Sequence, residues 1–578
     1  MRGPWVSRCG VLAVAILFAR GAAAEGEALP VVSPPDSLVS DGLPAIPAAL
    51  VEKAVPYLES RAATFQTWHP IRREALVTTR FADTAQVHRV RMPGGARTQL
   101  TFYPDRILSA SYPPRRTDGF IFTKDSGGAE FYQLFWFDEA TRRVTMLTDG
   151  KSRNSFETFT PDGRFVLFTS TKRNGKDTDV YLAEPSDPSS VRLLLQVESP
   201  GWSATDVAPD GKTVLLLEYV SATESRLHLL DVATGVRTLL TPPGAEKVFY
   251  GRARFAKDGK GIYATSDRGF EFHALFRFDL SSATWEPLTA ARPWDVESFD
   301  VSDDGGKLVY VLNEGGSNTI HLVDLGSRAE LPLPHVPLGV VTNARFHPSG
   351  REIGFTLSSA RSPADFFSID LASGSLVRWT ESETGGLDAG TFVEPERIAW
   401  KSFDGKMISG FLYRPPARFI GKRPVMISIH GGPEEQARPR YLGATNFYLN
   451  ELGVALIFPN VRGSHGFGKT FVSLDDGEKR EDSVKDVGAL LDWVAAQPLL
   501  DASRVMVTGG SYGGYMTLAT MTHFSDRLRC GLDVVGISNF VTFLTRTEAY
   551  RQDLRRVEYG DERDPKMRAF LEQISPLT

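Results

Sequence analysis

Val505-Met506-Val507-Thr508-Gly509-Gly510-Ser511-Tyr512-Gly513-Gly514-Tyr515 reads as a short apolar strand that runs into a G-x-S-x-G turn, with Leu518 to Thr522 continuing a helix behind it. Strand, glycine-flanked serine and helix are the context of a nucleophile elbow. A serine hydroxyl is a weak nucleophile and needs exposure, a base and a place for developing negative charge. Gly509 and Gly513 flank Ser511 because so sharp a turn leaves no room for side chains, and the turn sets the Tyr512 N–H at a helix start as an oxyanion donor. Ser511 is therefore the candidate nucleophile.

Working backwards, Arg397 to Phe403 and Met407 to Tyr413 read as a hairpin around Asp404-Gly405, and Val425 to Ile429 and Val454 to Pro459 as buried strands. Ser483 to Ala496 sets Val484, Val487, Leu491 and Val494 on one helical face, with Glu481 and Asp482 at its N-terminal end. Strands alternating with helices predict a mostly parallel sheet. His430-Gly431-Gly432-Pro433 follows the strand that ends at Ile429 and supplies the second oxyanion loop, with the Gly432 N–H as candidate donor. His430 and His465 read as structural and turn-forming residues.

The base is missing. An α/β-hydrolase orders its triad Ser, then Asp or Glu, then His, and the only histidine after Ser511 is His523, inside the helix the elbow launches. Asp526, Asp533, Asp553, Asp561 and Asp564 read as surface or helix-cap residues.

Upstream the period changes. Asp118-Gly119, Asp162-Gly163, Asp210-Gly211, Asp258-Gly259, Asp304-Gly305 and Ser349-Gly350 recur at spacings of 44, 48, 48, 46 and 45 residues, each expected to be a turn before an apolar strand. A period in the forties with about four strands per unit predicts a β-propeller. A degenerate first copy from Trp68-His69-Pro70 to Gln99-Leu100-Thr101 brings the count to seven blades.

The 578 residues exceed one hydrophobic core. With 23% charged residues and a net charge of −5, the chain lacks the basic excess of a nucleic-acid or anionic-membrane binder. Arg2 and Arg8, an apolar run from Val11 to Ala19 and Ala22-Ala23-Ala24 form a signal-peptide pattern too short to span a bilayer. The expectation is a secreted or periplasmic protein, free of the membrane after cleavage, with Cys530 as its one remaining cysteine and thus no internal disulfide. Residues 1–24 are assigned to the signal, 25–60 to an N-terminal segment, 61–385 to the propeller and 386–578 to the hydrolase domain. No metal or cofactor is expected, and the oligomeric state is not readable.

A propeller followed by "HGGP", "NVRGSHGFGK", "DVGALLDWV" and "GGSYGGYM" resembles the prolyl oligopeptidase family of serine peptidases, especially its acylaminoacyl-peptidase and bacterial dipeptidyl-peptidase-like branches. The resemblance implies short peptide substrates held between the two domains and an acyl-enzyme on Ser511, with the Tyr512 and Gly432 N–H groups facing the oxyanion. It also implies that the Asp and His of the triad lie in strands and loops past Thr578. Two explanations stand, a C-terminally truncated fragment and a pseudoenzyme; an uncovered sheet face and unpaired edge favour the fragment, which is expected to hydrolyse peptides negligibly. An esterase or an inactive binding scaffold are the alternative functions. A dipeptidyl peptidase needs carboxylates for a free amine, and Glu130, Glu434 and Glu435 are candidates beside their reading as surface glutamates.

Overall fold

The computed structural model describes residues 30–33, 35–38, 41, 42, 44–289 and 292–578. The proposed signal segment lies outside these. Residues up to Val55 form a small unit of their own, in which Val31–Val32 pairs antiparallel with Ile46–Pro47 ahead of helix Ala48–Leu58. The rest of the chain, from Pro56 to Thr578, is a single compact unit containing both larger domains.

Seven four-stranded antiparallel sheets follow one another between Thr64 and Arg378, each built from one contiguous stretch of chain. Local chemistry repeats in them. Between first and second strands, Asp162, Asp210, Asp258 and Asp304 accept the N–H two residues on at 2.9–3.0 Å, and Gly163, Gly211, Gly259, Gly305 and Gly350 take φ of 69–72°. Blade 2 departs from the expected pattern. Gly119 begins the second strand, where a Cβ would overlap the Trp136 indole, and the left-handed turn residue is Arg115 at φ 61°. Past the third strand, Asp138, Asp231, Asp279, Asp324 and Asp370 cap the hairpin by accepting the N–H three residues on. At the fourth strand, the hydroxyls of Thr101, Thr148, Thr241, Thr289 and Thr380 accept the N–H fourteen residues upstream.

Period-2 alternation packs each blade against both neighbours. In blade 6, Leu308, Tyr310 and Leu312 join Tyr263 and Leu275 of blade 5, while Val309 and Val311 join Ile353 and Phe355 of blade 7. Each such side chain contributes about 1.5–3 kcal/mol by leaving water. No strand is shared across the ring closure. Blades 1 and 7 meet through Phe65, Trp68, Phe366 and Trp379, with Gly354 leaving the space that the Trp68 ring fills. The Ala63 N–H donates to the Ala364 carbonyl at 2.8 Å, and Arg73 pairs with Glu352.

The C-terminal domain is a six-stranded sheet. Its strands are β1 (Glu396–Lys401), β2 (Met407–Tyr413), β3 (Arg423–Ile429), β4 (Ala455–Asn460), β5 (Leu500–Gly510) and β6 (Cys530–Val534), in the order β1-β2-β4-β3-β5-β6. The first two are antiparallel and β4, β3, β5 and β6 are parallel. Five helices of seven or more residues accompany it: α1 (Arg480–Ala495), α2 (Tyr512–His523), α3 (Phe540–Arg546), α4 (Ala549–Tyr559) and α5 (Pro565–Gln573). Val425, Ile427 and Ile429 of β3 point into a core with Val484, Val487, Leu491 and Val494 of α1 and Tyr515 and Met516 of α2, whereas Met426 points to Leu449 and Leu456 on the other face. Strand β6 differs. All five of its residues are exposed, and Leu532, Val534 and the following Val535 present apolar surface.

Candidate active site

Ser511 stands between β5 and α2 at φ 57°, ψ −119°, a conformation that costs a non-glycine residue roughly 1–3 kcal/mol. The surroundings hold it there. Its N–H donates to the Val534 carbonyl at 3.0 Å, and its own carbonyl accepts from Gly514 and Tyr515 at 2.9 and 3.1 Å. The glycines are obligatory for contact reasons: a Cβ at Gly509 would overlap the Gly513 carbonyl, one at Gly513 would overlap the Ile429 carbonyl, and one at Gly514 would lie 2.5 Å from the Gly536 Cα. The side chain of Ser511 is exposed and has no hydrogen-bond partner among the described residues.

As the first residue of α2, Tyr512 has an N–H with no acceptor inside the helix. Across the turn is the His430–Pro433 loop. A Cβ on Gly431 would lie 3.7 Å from the Ser511 Cβ, so the loop passes within contact distance of the nucleophile. The Gly432 N–H is without an acceptor among the described residues, and its orientation is set by both flanking carbonyls. His430 Nδ1 donates to the Gly431 oxygen at 2.9 Å, and Nε2 lies 2.9 Å from the oxygen of Ser464, whose hydroxyl donates to the Val461 carbonyl at 2.6 Å. Arg555 and the Tyr559 hydroxyl donate to the Gly432 oxygen at 3.2 and 3.3 Å. Burial lowers His430 and keeps the ring neutral. With both nitrogens committed, it positions the loop and is not a free base.

Sequence reasoning missed what lies under the elbow. Arg480, 1% exposed, donates to Asp475 at 2.5 Å and to the Glu558 carboxylate at 2.6 Å, and its guanidinium lies over the rings of Tyr512 and Tyr559. Tyr512 in turn donates to Asp475 at 3.2 Å and meets Ser483 at 3.0 Å. Asp475, Asp476 and Glu558 bring carboxylate oxygens within 4.8 Å of one another, and Arg480 supplies the positive charge bonded to two of them. A charged run, Glu478 to Glu481, was the only sequence signal, and such runs normally face solvent.

The remaining candidates separate. His523, at the far end of α2, pairs with Glu481 at 2.9 Å. Asp564 caps α5 as expected, accepting from the Lys566 N–H, and Asp561 pairs with Arg563. Asp553 reaches across to the propeller and pairs with Lys176 at 2.8 Å. Glu130 also bridges the domains, to Arg551 at 3.2 Å. Glu434 is not a surface glutamate. Burial first, and then the neighbouring Glu558, push its carboxyl up to about 7, and both carboxylates act on Tyr219 of blade 4. His465 sits in a turn, its N–H donating to the Glu434 and Glu435 carbonyls at 3.3 Å.

Polar contacts join the domains, beside apolar ones such as Ala360 against Phe411 and Ala437 and Phe131 against Tyr550. Arg438, two residues past Gln436, donates to both Glu297 oxygens at 2.9 and 3.3 Å and to the Gly316 carbonyl, Gln436 meets Asn313 at 2.8 Å, and Thr470 bonds Glu271. Interfaces of this polarity permit relative domain motion.

Known proteins share this arrangement. Residues 108–382 match the prolyl oligopeptidase N-terminal beta-propeller domain, and residues 441–578 match the prolyl oligopeptidase family. Dipeptidyl aminopeptidase BIII of Pseudoxanthomonas mexicana is 27% identical over 515 residues, which span 84% of this chain and 72% of that protein. Prolyl oligopeptidase ophP of Omphalotus olearius is 25% identical over 432 residues, 70% of this chain and 54% of that one. Among solved structures, a puromycin hydrolase superposes with a TM-score of 0.77 at 19% identity, over 91% of this chain and 85% of that one. A prolyl endopeptidase does so at 0.77 and 16%, over 91% and 79%.

Proposed function

Because this chain belongs to the prolyl oligopeptidase family of serine peptidases, we propose that Ser511 attacks the scissile carbonyl of short peptides and carries the acyl group until water releases it. The observation that carries the reading is Ser511 itself: an exposed hydroxyl on a residue at φ 57°, across from the His430–Pro433 loop, with the Tyr512 and Gly432 N–H groups donating to no acceptor among the described residues. Those of Tyr512 and Gly432 face the developing oxyanion, a donor whose loss costs a comparable hydrolase about 3–4 kcal/mol. Peptides enter between hydrolase and propeller, and the propeller refuses folded proteins.

The proton chemistry needs a base that no described histidine offers. We assign it to an Asp and a His outside these 578 residues, on sheet that pairs with the exposed edge of β6, where Leu532, Val534 and Val535 are 48–85% exposed. Alone, the chain then hydrolyses peptides negligibly. On the substrate side, Glu434 follows the oxyanion loop and lies beside Glu558, and a carboxyl pushed up to about 7 by burial and that neighbour gains by receiving an ammonium group. That favours an aminopeptidase-type reading, in keeping with the name of its dipeptidyl aminopeptidase relative. Residues 1–24 direct export, with Glu25 as the mature N-terminus.

The test uses the protein extended through its C-terminal sheet. A fluorophosphonate should label Ser511, and Ser511→Ala should abolish both labelling and turnover. Faster cleavage of a dipeptidyl amide than of its N-acetylated form or a simple ester is expected. Preference for the ester would refute the peptidase reading, and equal rates for the free and acetylated peptides would refute the amine clamp alone.

A further inference from the structure

Every innermost blade strand carries a register shift against its neighbour. The shifts fall at Phe65/Thr67, Ile107/Ser109, Phe156/Thr158, Ala204/Asp206, Tyr250/Ala253, Val296/Ser298 and Thr342/Arg345. A bulge leaves a residue out of the ladder and re-aims side chains. These strands have no hydrogen-bonded partner on their inner side and border the propeller axis. Near the shifts, the inner strands of blades 4 to 7 carry Asp206, Arg252, Arg254, Asp300 and Arg345, of which Arg252 is itself left out of the ladder.

The two aspartates are largely spent on the fold. One Asp206 oxygen accepts the Phe255 N–H of the next blade at 2.8 Å, and one Asp300 oxygen accepts the Phe346 N–H at 2.9 Å. Asp300 also lies 3.3 Å from Arg254. Neither aspartate is hydrogen-bonded to the other two arginines. Among the described residues neither Arg252 nor Arg345 makes a side-chain hydrogen bond or ion pair, and the Nε atoms of Arg345 and Arg254 are buried without an acceptor. The perturbations agree with that inventory. Burial, and then the like charges of Arg254 and Arg345, pull Arg252 down to about 9. Burial and then Arg254 pull Arg345 down to about 10. Glu157, on the inner strand of blade 3, is bonded to Thr169 and is not among the charges acting on either arginine.

Three guanidinium groups thus share two aspartates, and within this cluster the positive charges outnumber the negative by one. A planar guanidinium offers paired donors matched to carboxylate and phosphate oxygens. We propose that Arg252 and Arg345, with Arg254 beside them, form an oxyanion-binding site on the propeller axis, separate from the Ser511 site. Its ligand is a carboxylate or phosphate group, carried either by the C-terminus of a peptide or by a free inorganic anion.

Inorganic phosphate is the probe, titrated into the full chain at constant ionic strength with chloride as the balancing anion, and read as the melting temperature. A saturable rise is expected. In Arg252→Gln and in Arg252→Gln/Arg345→Gln the rise should vanish, while in phosphate-free buffer these variants melt no lower than the parent, because an unanswered buried charge has been removed. Arg252→Lys, which keeps the charge, should retain a weaker rise. A tripeptide acid that displaces phosphate when its amide does not assigns the site to peptide C-termini; displacement by neither assigns it to free anions. No saturable rise in the parent, or an equal rise in the glutamine variants, overturns the proposal.

Discussion

Replacing Arg480 with methionine tests whether the elbow rests on a buried charge cluster. The substitution keeps most of the side-chain volume and removes the donors to Asp475 and to the Glu558 carboxylate and carbonyl, all of them buried. Asp475 would keep only the Tyr512 hydroxyl. Removing one partner of a buried ion pair costs about 3–5 kcal/mol because the other charge is stranded. In a domain of this size each kcal/mol lowers Tm by about 2–4 °C, so calorimetry should show the hydrolase transition falling by roughly 6–20 °C. The loss should also depend on pH. Burial already holds Asp475 up to about 7, above its unfolded value of 3.8. A carboxyl with a raised folded value binds its proton more tightly when folded, so its contribution favours folding at low pH and is lost as pH rises from about 4 through 7. Without Arg480 only the Tyr512 hydroxyl opposes burial. The Tm deficit of Arg480→Met should therefore be larger at pH 8 than at pH 5, and Asp475→Asn introduced beside it should recover part of the loss. A deficit below about 2 °C, or one of equal size at both pH values, refutes the argument.

Gly513→Ala should cost about 1–3 kcal/mol as overpacking, since the new Cβ lies 2.8 Å from the His430 carbonyl oxygen; Gly244→Ala, with nothing within 4 Å, is the neutral control, and calorimetry compares them. Trp379→Ala removes a fully buried ring from the closure between blades 1 and 7 and should lower propeller stability by about 3–5 kcal/mol, with limited proteolysis opening the chain near Thr64 before any other blade. Arg438→Ala takes the partner from Glu297 and should speed hydrogen exchange in the Asn313–Asn318 turn while leaving the blade cores protected.

Much of this was legible in the sequence because it is local. The Asp-Gly turns, the Asp that closes five of the outer hairpins and the Thr fourteen residues past its partner in five blades are decided within a few tens of residues. The elbow is decided within about ten. Gly119 was misread for a tertiary reason: its glycine makes room for Trp136 and does not form the turn. The Leu500–Gly510 strand is longer than the Val505–Thr508 core suggested, because its start pairs with Arg423 across a register shift. Neither the Arg438–Glu297 contact nor Arg480 under Tyr512 could be found, since partners 141 and 32 residues apart leave no periodic trace. Inner-strand bulges are equally silent, because an extra residue in a strand does not alter the turn spacing that reveals the repeat.

The ring closure has a mechanical consequence. Since every blade is a contiguous stretch of chain and none lends a strand to another, the ring behaves like a hoop fastened by a clasp. Outward load is borne at the junction of Phe65, Trp68, Phe366 and Trp379 with a few backbone bonds, and not by a continuous ladder. The same modularity makes the blade order indifferent to where the chain starts. A gene rearranged to begin at blade 2 and end its propeller with blade 1 would lose no strand pairing.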